Sequence, residues 1–213
     1  MPAVLLVHGG GWYKRTGDME GIAKDLARSG YFVFNITYRL APTHHFPDQV
    51  NDVKDAIKFL QREASHLGID PNRIAGWGYS AGANLIMLAG LDPKNGLRAI
   101  VGGGTPANLV PWPDSELVKD FIGGSLAEKR SAWEAASPLL QIKRDSPPIF
   151  LYHGKWDNVV EIEQMREFAR ALRKERVPVE THEVTGGGHL SVYLFSQESV
   201  DLAVQFLDRR VAN

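Results

Sequence analysis

The chain has 213 residues, 44% of them hydrophobic and 23% charged, which suits one globular domain with a substantial core. Its 24 basic and 25 acidic residues are interspersed and leave a net charge of −1, so no basic face is offered to nucleic acid or to an anionic membrane. Without cysteine there is no disulfide, thiolate metal site or cysteine nucleophile, and the apolar run Ala3–Val7 is too short to span a membrane, so the cytoplasm is the default compartment.

Short apolar runs alternate with longer stretches of helical periodicity, the pattern of a parallel sheet with helices on its faces. The first strand is expected at Ala3–His8 and leads into His8-Gly9-Gly10-Gly11-Trp12. Successive glycines let a backbone approach a substrate and turn its N–H groups inward, as an oxyanion hole requires. A phosphate-holding loop is the rival reading, disfavoured because no G-K-[ST] or G-x-G-x-x-G follows. The second strand is expected at Tyr31–Thr37, followed by Tyr38-Arg39-Leu40-Ala41-Pro42. Val50, Val53, Ile57, Leu60 and Ala64 then recur at helical spacing, predicting an amphipathic helix from just after Pro47 to near Gly68.

A third strand, Arg73–Tyr79, runs into Gly78-Tyr79-Ser80-Ala81-Gly82 and a helix-like stretch, Ala81–Leu91. A serine between glycines at a strand-to-helix turn is a way to present a hydroxyl as a nucleophile, with the first N–H groups of the helix favouring negative charge nearby. Chance also supplies that pattern, so a turn that only packs a helix on a strand remains open at this point. The fourth strand is expected at Ala99–Gly103. From Thr105 to Pro147, prolines 106, 111, 113 and 138, Gly123-Gly124, Trp112 and Trp133 predict a short-helix excursion. It leaves from the carboxyl end of a strand, where open α/β sheets bind ligands, and either lines or covers a site like a lid or is an ordinary connection packed by its tryptophans.

Two further motifs follow strands. Asp157, in His153-Gly154-Lys155-Trp156-Asp157, comes after the strand expected at Ile149–His153, and His189, in Gly186-Gly187-Gly188-His189, after the one at Val179–Val184. Helices are expected at Ile162–Lys174 and Val192–Arg209. Histidine is the usual general base near neutral pH, and the chain order Ser80, Asp157, His189 with a glycine loop upstream is the order of a serine-hydrolase turn. Histidines 44, 45, 66, 153 and 182 have no metal-ligand spacing and read as structural or solvent-facing.

Together HGGGW, YRLAP, GYSAG, HGKWD and the histidine loop resemble the α/β-hydrolases, in particular the HGGG-type esterase branch that includes hormone-sensitive-lipase-like and small feruloyl- and acetyl-esterase-like enzymes. The resemblance covers essentially the whole chain. It implies a single α/β-hydrolase domain over residues 1–213, with a mostly parallel sheet of about six strands and helices on both faces. It also implies Ser80 as nucleophile, His189 as base, Asp157 as acid, backbone N–H groups of Gly10, Gly11 and Ala81 as the oxyanion hole, and neither metal nor organic cofactor. The YRLAP run would shape the site and support the glycine loop. Glu161 stands where many relatives have proline and is kept as the lesser candidate for the acid.

The implied activity is hydrolysis of small acyl or aryl carboxylic esters, with Trp12, Tyr79 and Leu190 against the substrate. A formamidase or other amide hydrolase with the same triad is the alternative, as is a non-catalytic binding protein on the same scaffold. The chain starts in what would be the third strand of the resembling fold, without the usual first two strands or an N-terminal cap. Tyr31–Thr37 is then expected at the edge of the sheet, where a hydrophobic strand invites pairing in a homodimer, the alternative being a sequence that is truncated or starts late.

Overall fold

In a computed structural model, which describes residues 1–16 and 18–212, the six expected strands form one parallel sheet in the order β2-β1-β3-β4-β5-β6. They are β1 (Ala3–Val7), β2 (Phe32–Ile36), β3 (Ile74–Tyr79), β4 (Ala99–Gly103), β5 (Ile149–Gly154) and β6 (Val179–Val184). The expected segment Tyr31–Thr37 is indeed at the edge of the sheet, paired with β1 alone. Every pairing is parallel, so every carboxyl end points the same way. The central strands read as continuous apolar runs because both faces of the sheet are covered.

The helices are α1 (Glu20–Arg28), α2 (Asp48–Arg62), α3 (Ala64–Leu67), α4 (Ala81–Gly90), α5 (Glu116–Ile122), α6 (Leu126–Ala135), α7 (Ile162–Lys174), α8 (His189–Phe195) and α9 (Gln197–Leu207). The two-residue period of a strand splits the core in two. Ala3, Leu5 and Val7 of β1 face a layer that includes Val53 and Leu60 of α2, Leu85 of α4 and Phe168 of α7. Val4 and Leu6 face the other layer, with Ile22 and Leu26 of α1 and Phe206 of α9.

Three elements depart from expectation. The helix expected up to Gly68 is two: α2 ends at Arg62, and the single turn α3 stops at Gly68, whose φ of 67° is left-handed. The closing helix is also two pieces. Ser196, at φ −89° and ψ 72°, breaks it, its hydroxyl 2.6 Å from that of Ser199, and α8 begins at His189 rather than Val192. Helix α1 was not among the expected elements. It buries Ile22 and Leu26, four residues apart, and exposes most of its polar positions.

Residues 105–147 carry α5, α6 and a short 3₁₀ turn, Pro138–Gln141. Trp133 is fully buried and its indole N–H donates to the Gly124 carbonyl at 3.1 Å, so this tryptophan packs the excursion. Trp112 is half-buried and faces the cleft described next. The excursion is therefore a packed connection on one side and a cleft wall on the other.

Candidate active site

Chain direction places the site. From β1 the chain crosses to β2 on one side and then returns to β3 on the other, so the carboxyl ends of β1 and β3 flank a topological switch point. The glycine loop leaves β1 there, and Ser80 follows β3. Asp157 follows β5 and His189 follows β6, all at the same edge of the sheet.

Ser80 has φ 54° and ψ −124°, a conformation that costs free energy in any residue with a side chain, and precedes α4. Its N–H donates to the Gly103 carbonyl at 2.8 Å, fixing the turn to β4. The glycines of the motif have a packing cause: a Cβ on Gly82 would lie 2.1 Å from the carbonyl oxygen of Val7, so α4 could not sit this close to β1.

His189 lies between the other two groups. Its Nε2 is 2.9 Å from Ser80 Oγ and its Nδ1 is 2.6 Å from Asp157 Oδ2. A carboxylate only accepts, so Nδ1 carries the hydrogen and Nε2 accepts from the serine hydroxyl. Glu161, the other acid considered, is exposed at the cleft edge, and Asp157 is the residue that meets the imidazole.

The Asp157 side chain is wholly buried. Burial alone would raise its carboxyl above the ordinary 3.8, but the nearby His153 and His189 imidazoles and the Val160 N–H outweigh it and hold the group well below that value. It is a carboxylate throughout the neutral range.

The glycine loop sits opposite. Neither the Gly10 nor the Gly11 N–H finds an acceptor among the described residues, and Ala81 is the first residue of α4, whose initial N–H groups have no partner within the helix. The loop is supported from below. His8 is buried, its Nδ1 donating to the Gly9 carbonyl at 2.6 Å and its Nε2 accepting from the Thr37 hydroxyl at 3.0 Å. Desolvation holds this imidazole below its usual 6.5. Tyr38 stacks on it at 4.4 Å and donates to the His8 carbonyl at 3.1 Å, while the Ala41 N–H donates to the Trp12 carbonyl at 3.0 Å. The YRLAP run thus supports the loop, as expected.

These groups open into a cleft of about 610 Å³. Trp12, Tyr79 and Leu190 all line it, though in different ways. Leu190 is exposed and available. Trp12 is buried, stacked on Phe121 at 4.5 Å, and forms a rigid wall. Tyr79 commits its hydroxyl to the His189 carbonyl at 2.6 Å, so it also holds the histidine segment in place. Pro111 and Trp112 of the expected excursion add apolar surface, as do Leu117, Val118 and, from the acid loop, Val159, which no sequence motif marked.

Of the histidines read as structural or solvent-facing, His153 is fully buried, with Nε2 3.2 Å from Asp157 Oδ2. Its spacing carried a signal: His153 is the last residue but one of β5 and precedes the acid by four residues. Among the described residues no three histidine, cysteine, aspartate or glutamate side chains gather to hold a metal ion, and no helix is long and apolar enough to cross a membrane.

Known proteins resemble this chain along most of its length. A family model described as BD-FAE matches residues 1–172. Esterase LipC of Mycobacterium tuberculosis is 32% identical over 211 residues, which cover 88% of this chain and 52% of LipC, and the chain spans about half the length of such curated relatives. An acetyl ester-xyloside bifunctional hydrolase from Caldicellulosiruptor lactoaceticus superposes with a TM-score of 0.86 at 27% identity, covering 98% of this chain and 83% of that one. A truncated carbohydrate esterase from gut microbiota has a TM-score of 0.89 at 22% identity over 100% of this chain and 86% of its own, which shows the shared α/β-hydrolase fold.

Proposed function

The chain belongs to the BD-FAE family, and from that premise we propose that it hydrolyses carboxylic esters of small acyl or aryl groups through Ser80, His189 and Asp157. One observation carries the reading: Ser80 Oγ, His189 and Asp157 form an unbroken hydrogen-bonded chain on the floor of a cleft, beside N–H groups of Gly10 and Gly11 that have no acceptor among the described residues.

In the proposed reaction His189 Nε2 takes the proton of Ser80 as Oγ attacks the ester carbonyl, and Asp157 holds the imidazole tautomer and stabilises the imidazolium. The N–H groups of Gly10, Gly11 and Ala81 receive the oxyanion. Such donors are worth about 3 to 4 kcal/mol each in the barrier when removed one at a time. The alcohol leaves with the proton from His189, which then activates water to release the acid and restore Ser80.

The apolar walls, with Trp12, Trp112, Leu117 and Leu190, favour an acyl or aryl group in the cleft. The relative named for an acetyl ester agrees with a short acyl group. The test is a panel of p-nitrophenyl esters from acetate to palmitate, run beside N-formylkynurenine, with fluorophosphonate labelling of Ser80. Hydrolysis of short esters with labelling is expected. Preference for palmitate would overturn the small-ester reading, preference for the formamide would move the activity to amides, and a folded protein that neither labels nor turns over would leave a binding role.

A further inference from the structure

Asp157 meets more donors than holding one imidazole requires. Its Oδ1 accepts from the N–H groups of Val159 and Val160, both at 2.9 Å, and its Oδ2 accepts from His189 Nδ1 at 2.6 Å. Beside that same Oδ2, 3.2 Å away, is Nε2 of a second imidazole, His153. His153 Nε2 is also 2.7 Å from the Val160 carbonyl. A carbonyl and a carboxylate both accept only, so Nε2 carries the hydrogen. That tautomer leaves Nδ1 as a buried acceptor without a partner among the described residues. An orphaned polar atom in the interior costs free energy, and a residue that fills space alone would not incur it. What the imidazole supplies here is an N–H bonded to the Val160 carbonyl and close enough to Asp157 Oδ2 to help hold that carboxyl below its ordinary value.

We propose that His153 is a positioning residue for the triad, whose Nε2–H ties the acid loop to the end of β5 and shares Asp157 Oδ2 with His189. The inference rests on the hydrolase reading of Ser80, His189 and Asp157. Its direction follows from the shared oxygen. With the His153 donor gone, the carboxylate charge acts on His189 alone and favours its imidazolium, so the acidic limb of the rate profile moves to higher pH. The loop that carries Asp157 loses a tie as well, and the rate falls through misplacement of the acid.

The other titratable groups around the pair do not confuse this readout. The Tyr79 ring is 5.3 Å from that of His189, with Tyr193 and Tyr152 against Tyr79, and burial raises all three phenols away from the acidic limb. Glu161, Lys14 and Asp114 line the same cleft and are common to every variant compared.

Two substitutions of similar polarity separate the donor from mere packing. Glutamine at 153 places an N–H where Nε2 was, whereas asparagine stops near the position of Nδ1. The activity of His153→Gln and His153→Asn on p-nitrophenyl acetate is followed against pH, with fluorophosphonate labelling of each. His153→Gln is expected to keep the acidic limb in place and kcat/KM within about threefold, and His153→Asn to raise the limb by roughly half a pH unit and lower kcat about tenfold with KM little changed. His153→Leu, which also lacks the donor, carries the same expectation should the asparagine variant fail to fold. Equal behaviour of the glutamine variant and the donor-less variant, or a donor-less variant with an unmoved acidic limb, would overturn the role of His153. A wild-type protein that neither labels nor hydrolyses ester would instead overturn the hydrolase reading beneath it.

Discussion

A Cβ on Gly104 would lie 3.0 Å from Cε1 and 3.2 Å from Nδ1 of His189. The residue just after β4 is therefore a wall of the imidazole's slot, and its φ of 53° already favours glycine. Gly104→Ala should press the ring away from Ser80 and strain the turn. A fall in kcat of roughly 10- to 100-fold, with about 1 to 2 kcal/mol lost in stability, is expected from enzyme kinetics and denaturant unfolding.

Tyr79 holds the same residue from its main chain. Tyr79→Phe removes the donor at 2.6 Å from the His189 carbonyl and leaves the tilted ring contact in place. The expected result is about a three- to tenfold loss in kcat at nearly constant KM, with Tm lower by about 2 to 4 °C. A rise in KM alone would assign Tyr79 to the substrate instead.

If Ser80, His189 and Asp157 act together, their losses will not add. Ser80→Ala and His189→Ala should each lower kcat by at least about a thousandfold, and the double variant should be no slower than the worse single one. Steady-state kinetics on one ester measures this, and full additivity would argue against a working unit.

Stability should fall in acid for a stated reason. The carboxyl of Asp157 is held below its ordinary 3.8 in the folded protein, so its contribution is complete above that value and is lost as pH falls through the folded one. His8, held below 6.5 by burial, adds in the same direction, because below that pH the unfolded chain takes up a proton that the folded one resists. Denaturant midpoints should drop between pH 7 and pH 3, and less steeply in Asp157→Asn than in wild type.

Much of this was legible in the sequence. The strands were, because a sheet covered on both faces writes itself as short apolar runs. The meeting of Ser80, His189 and Asp157 was, because each follows its own strand. Helix α1 was not: Ile22 and Leu26 are too few to make a visible stripe among charged neighbours. Nor was the break at Ser196, where hydropathy continues and two hydroxyls redirect the backbone. The environment of Tyr79 depends on a contact with a segment 110 residues away, and for His153 the spacing to Asp157 does not state which oxygen a buried N–H will meet.

Gly10, Gly11 and Ala81 offer main-chain amides, while Trp112, Leu117 and Leu190, which border the substrate space, come from other segments. In the proposed reaction, side chains would choose the ester and main-chain N–H groups would meet the oxyanion. A library randomised at 112, 117 and 190 should change which ester is chosen while the anion cradle, which uses no side-chain donor, stays as it is.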